Sequence, residues 1–277
     1  MSNESNHYTV PWTGLDVMLF LALFFMAQFA CGIFGGVAGF VADSVAPAPQ
    51  VQIQTQQGGE DKHHGHEILQ LVEYGKNSPI ILLIALLAVV VAAPLVEEML
   101  FRLFLQGWLE SKLSQLNVPW ASGIAVVLVS LFFAAIHGGS SENINGEGAN
   151  RAIGIYVYIF MFIGMTIASL LIFALGIYYL MERRDMKMSH CLFGTKQYSG
   201  GQLCAIAAGC FLVILFVLGV SYALHEIAPD TNTDPIPIFF FSLALGYLYS
   251  KTHNLSYCIL LHACLNATSL TLAWLAV

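Results

Sequence analysis

Hydrophobic positions in this chain fall in long unbroken blocks separated by short polar stretches. A helix needs about 20 apolar residues to cross a bilayer, so such blocks predict membrane spans. Seven are visible. They run from Leu15 to Val41, from Pro79 through Ala93 and on past Pro94, from Trp120 to Ile136, from Ile153 to Met181, from Leu203 to Leu224, from Ile238 to Tyr249, and from Leu255 to the C-terminus. The expectation is an all-α polytopic transmembrane bundle of about seven spans. The second block continues as an amphipathic helix to about Leu113 and outruns one bilayer. Pro94 is expected to kink it. Glu110, Ser111 and Lys112 predict that its far end projects into water.

The polar stretches define the rest of the plan. Residues 1–78 form one unit, the first span followed by a His- and Gln-rich loop from Ala42 to Ser78, and residues 79–277 form the bundle proper. Gly32, Gly35, Gly36 and Gly39 in the first span suit close helix packing. Within the loop, Asp61-Lys62-His63-His64-Gly65-His66-Glu67 reads first as a solvated segment and second as a place to catch a metal ion. A Gly/Ser/Asn/Glu loop covers 138–150, a basic loop 182–201, and an acidic one holds Glu226, Asp230 and Asp234. With seven spans, Lys112, Arg183, Arg184, Lys187, Lys196 and Lys251 share one side. The positive-inside rule puts that side, and with it the N-terminus, in the cytoplasm. The short loops point to a bacterial inner membrane.

Composition removes the soluble alternatives. Hydrophobic residues make up 57% of the 277 and charged ones 10%, against about 25% charged in soluble proteins. So few charges cannot cover a water-facing surface. Lys and Arg number 10, too few for a nucleic-acid footprint. Of six cysteines, Cys31, Cys204, Cys210, Cys258 and Cys264 lie in apolar runs and Cys191 in a loop. No CxxC spacing occurs, so they read as small membrane-helix residues.

Against this background, charge within a span stands out, because insertion costs about 2.5–3.5 kcal/mol per group. Glu98 and Arg102 are four apart and can pair on one helix face. Glu97, about 100° round the helix, is left to face something else. His262 and Asn266 are also four apart and share a face. The turn between the second and third spans centres near Asn117. Glu97 lies 20 residues before it and His137 lies 20 after it, so an antiparallel hairpin sets them level. One polar pocket of Glu97, His137, His262 and Asn266 is expected.

A carboxylate and an imidazole facing one water can activate it, and a second imidazole with an amide can donate to a developing oxyanion. That is water attack on a carbonyl, peptide hydrolysis inside the membrane. The alternative is zinc held by Glu97, His137 and His262 with a fourth position open, although no HExxH is present. Blander readings stand beside both: Glu98 with Arg102 as a structural ion pair, the others as interhelical hydrogen bonds, and Phe133 as packing.

The order EExxxR (Glu97, Glu98, Arg102), FxxxH (Phe133, His137) and HxxxN (His262, Asn266), with the stretch Phe241 to Leu255, resembles the CPBP family of CAAX-protease and bacteriocin-processing intramembrane endopeptidases. The likeness covers about 79–138 and 236–270. The two spans at about 153–224 stand as additions to the shorter connection many members have. The resemblance implies that Glu97 and His137 activate water, that His262 and Asn266 form the oxyanion site, and that Glu98 and Arg102 hold the geometry. It implies a membrane-associated substrate, lipidated in the CAAX branch, and leaves zinc open. A catalytically silent member serving as an immunity or scaffold protein is the alternative. An ion-coupled transporter is further off, since no inverted repeat is visible.

Overall fold

A computed structural model describes residues 10–45, 80, 83–84, 86–137, 151–194, 198–227 and 235–276. The His63, His64 and His66 cluster and the 138–150 loop lie outside the described residues. Every described apolar run is helical, and no strand occurs among the described residues. Helix α1 spans Gly14–Val45, four residues beyond the expected end. The second run is one continuous helix of changing winding. A π-wound turn, π1 (Leu86–Ala92), leads into α2 (Ala93–Glu98), then a second π-wound segment, π2 (Met99–Gln106), and then α3 (Gly107–Gln115). There follow α4 (Ala121–His137), α5 (Arg151–Arg184), a short α6 (Met188–Phe193), α7 (Gly200–Ile227), α8 (Pro235–Thr252) and α9 (Leu255–Ala276).

The protein is a helical membrane bundle. Ile163–Arg184, Gly200–Leu224 and Leu255–Leu272 are each long and apolar enough to cross a bilayer, and Gly14–Ala27 and Ala121–His137 are shorter apolar helices. Apolar residues cover much of the outside: Phe211, Leu212, Phe216 and Tyr222 on α7 are exposed, as lipid-facing residues would be.

The core is built around π2. Met99, Leu100, Phe101, Arg102, Leu103, Phe104 and Gln106 are all buried, so its apolar and its polar positions are both enclosed by the bundle. Helix α1 covers it from outside: Phe20 stacks on Phe104 at 4.7 Å, and Trp12 Nε1 donates to Phe104 O at 3.0 Å. Helices α8 and α4 pack together, as do α1 and α5, while α9 lies against π1 and α2.

Two expectations change here. At the far end of the second helix Lys112 is exposed as expected, but its two neighbours are not. Glu110 and Ser111 are buried, with Ser122 Oγ at the start of α4 donating to the Glu110 carboxylate. The return of α4 over α3 covers them. The basic loop also contains α6, which carries Cys191. Its end is pinned by side chains of the α8–α9 turn: Asn254 Nδ2 donates to Phe193 O at 2.8 Å and Ser256 Oγ to Leu192 O at 2.9 Å. Gly194, at φ 65°, turns away beneath the His253 carbonyl, where a Cβ would come within 2.6 Å of that oxygen.

Candidate active site

The site is assembled by two chain reversals. Between α3 and α4, Asn117 (φ 54°) and Trp120 (φ 63°) adopt left-handed backbone, and Val118 N donates to Leu113 O at 3.0 Å. This tight turn sends α4 back along π2 and α2. Glu97 and His137, equally far from Asn117, therefore meet, with Glu97 Oε2 3.5 Å from His137 Nε2. His137 is the last residue of α4, and its Nδ1 lies 2.8 Å from Phe133 O, a carbonyl the helix end leaves short of donors.

The second imidazole arrives on α9. Asn254 caps that helix, its Oδ1 accepting the Tyr257 N–H at 3.3 Å, which fixes where the helix starts. His262, two turns on, reaches both glutamates: Nε2 is 3.8 Å from Glu97 Oε2 and Nδ1 is 2.8 Å from Glu98 Oε1. The two adjacent carboxylates are thus divided. Glu97 stands between two imidazole Nε2 atoms. Glu98 is used up on the far side, with Oε1 on His262 and Oε2 on Arg102 Nε at 3.2 Å.

Each imidazole turns Nδ1 toward an oxygen that accepts, so Nδ1 carries the hydrogen and Nε2 faces Glu97. Exposure is graded across the group. His137 is 32% exposed, Glu97 14%, His262 8%, and Glu98 and Arg102 0%. Phe133 does more than pack: its ring stacks on His137 at 4.2 Å, meets His262 edge-on at 6.2 Å and lies 5.5 Å beneath the Arg102 guanidinium. Phe241 closes the other side of His262 at 5.3 Å.

Asn266 is not turned wholly to this group. Its Nδ2 donates to Val89 O in π1 at 2.8 Å. As for zinc, the described residues contain no group of three or more His, Cys, Asp or Glu side chains already placed at metal-ligand geometry.

Two polar residues of this neighbourhood escaped the sequence reading. Arg102 Nη2 donates to Ser242 Oγ at 2.7 Å, and Gln106 Nε2 to Gly246 O at 2.8 Å. Both bonds join residues 140 apart, so π2 and α8 run in the same direction in register. The signal was the matched spacing, 102 with 106 and 242 with 246, in two apolar runs.

Residues 79–189 and 190–268 match the family described as type II CAAX prenyl endopeptidase Rce1-like. The chain belongs to this family. The matched segments hold all seven motif residues and also run through 153–224. Family membership makes the chain an intramembrane protein of the CAAX-type endopeptidase class, in line with the CPBP resemblance. Comparison with curated proteins and with solved structures gives no match.

Proposed function

We propose that this protein hydrolyses a peptide bond of a membrane-associated protein or peptide, using a water activated by Glu97 and His137. The observation that carries the reading is the approach of two imidazole Nε2 atoms to one carboxylate oxygen, Glu97 Oε2, at 3.5 and 3.8 Å. These gaps exceed a direct hydrogen bond and suit sharing of one water. The water donates to Glu97 and His137 and keeps a lone pair for the carbonyl carbon. Attack leaves an oxyanion. Asn266 has a second amide hydrogen to donate to that oxygen, and His262, held through Nδ1 on Glu98, turns Nε2 to the same space. The proton taken from water passes to the leaving amine. Glu98 and Arg102 act by holding His262.

The substrate reads as a membrane protein or lipidated peptide, with a prenylated CAAX peptide first in line. The distribution of Lys and Arg supports a cytoplasmic N-terminus, and the short loops a bacterial inner membrane.

The test compares purified wild type, Glu97→Ala and His137→Ala on a peptide panel that includes farnesylated CAAX peptides, with and without chelator. Expected is cleavage by wild type that survives chelation and is lost in both variants. Loss on chelation restored by zinc would replace this reading with a metal centre at Glu97, His137 and His262. No cleavage by folded wild type, with Glu97→Gln still functional in cells, would make the protein a silent scaffold.

A further inference from the structure

Pro94 sits where two windings meet, following π1 and opening α2. In a π-wound turn each N–H bonds the carbonyl five residues back, and for residue 94 that carbonyl belongs to Val89. Proline has no N–H to give. In a membrane interior an unmet carbonyl is costly, because no bulk water can serve it. Val89 O is met instead from another helix, by Asn266 Nδ2 at 2.8 Å.

An amide nitrogen carries two hydrogens in a fixed plane. With one held on Val89 O, the direction of the other is set. We infer that Pro94 and the Val89 carbonyl are a positioning device for Asn266. The backbone bond that proline cannot make holds one Asn266 hydrogen, and thereby aims the second at the reacting carbonyl. This deepens the proposed hydrolysis and rests on it, since the aimed hydrogen matters only if an oxyanion forms there. It also accounts for the residue type. Aspartate has no such donor, serine has one, and glutamine is a methylene longer. Pro94 lies three residues before Glu97, so one break in the helix serves both the carboxylate and the amide across from it.

The experiment is a double-mutant cycle on the full chain, Pro94→Ala with Asn266→Ala, read by thermal unfolding midpoint and by kcat and KM on the peptide that wild type cleaves. Pro94→Ala returns an N–H to Val89 O and releases Asn266. The midpoint should hold or rise, because a proline leaves a helix interior. At the same time kcat should fall about tenfold or more, with KM within about twofold. In the Asn266→Ala background Pro94→Ala should change kcat by less than about twofold and raise the midpoint more than it does in wild type. A Pro94→Ala enzyme with wild-type kcat, or kcat effects that simply multiply, would overturn the inference. If wild type cleaves nothing, the midpoints decide. Coupled increments keep the Val89–Asn266 anchor and lay the failure on the protease reading, whereas independent increments remove the anchor itself. Asn266→Ser carries the cycle if Asn266→Ala does not fold.

Discussion

Two clusters tie helices together in this bundle with the same chemistry, a carboxylate, a guanidinium and hydroxyl partners. One is sealed: Glu98 with Arg102 Nε at 3.2 Å, Ser242 Oγ on Arg102 Nη2 at 2.7 Å and His262 Nδ1 on Glu98 at 2.8 Å, both charges at 0% exposure. The other is at the rim. Asp16, at the start of α1, accepts from Thr13 N at 2.6 Å, Thr13 Oγ1 at 3.0 Å, Tyr179 OH at 2.6 Å and the Arg184 guanidinium, with Arg184 26% exposed. Donor count is at least as high at Asp16. What differs is access to water. At the rim, Asp16 is 9% exposed but Arg184 is open to solvent and Asp16 keeps three other hydrogen bonds, so loss of the guanidinium alone leaves the carboxylate with partners. Beneath π2 nothing replaces a lost partner, so the sealed pair constrains the orientation of His262, and through it the space around Glu97.

The largest effect expected from breaking this contrast comes from Glu97, which the sealed pair leaves free. Glu97→Gln should lower kcat by about 10²–10⁴-fold with the unfolding midpoint little changed, since an amide fills the same space without taking a proton. Midpoint and peptide cleavage measured on one preparation check this. Next is Arg102→Met, which strands Glu98 as a buried unpaired charge at a cost of about 3–5 kcal/mol. Chemical unfolding in detergent should show it, with Glu98→Gln/Arg102→Met in combination recovering part of the loss. Gly246→Ala is smaller. Its Cβ would lie 3.0 Å from Val126 Cγ1 and 3.1 Å from Gln106 Oε1, so Gln106 must shift, at about 1–3 kcal/mol. Smallest is Arg184→Ala at the rim, about 1 kcal/mol or less, with cleavage unchanged. A loss of activity there equal to that of Arg102→Met would erase the distinction between the clusters.

Much of this arrangement was legible in the chain itself. Counting residues from Asn117 sets Glu97 and His137 level, and spacing by four pairs Glu98 with Arg102 and aligns His262 with Asn266. Such inferences succeed because helical rise and period are nearly constant. They fail where an outcome depends on a third element. Glu110 and Ser111 looked solvent-facing because nothing in their own segment shows that α4 folds back over them. Cys191 looked like a loop residue because α6 is only six residues long and is held by Asn254 and Ser256 from a distant turn. Ser242 lay within the stretch from Phe241 to Leu255 but carried no role there, because a lone serine is ordinary in an apolar span. Asn266 was expected to face the pocket alone, and its bond to Val89 O could be foreseen only by knowing that the helix before Pro94 is π-wound.

That winding carries a lesson for design. The Glu98–Arg102 bond crosses the junction of α2 and π2, where the angular step per residue is not that of an ideal helix. Copying Glu97, Glu98 and Arg102 onto a regular scaffold would keep their spacing and lose their phase. The guanidinium would point round the cylinder from where α8 waits for it. A transplant of this constellation has to carry the irregular backbone from Leu86 to Gln106 along with the side chains, because the irregularity is part of the information.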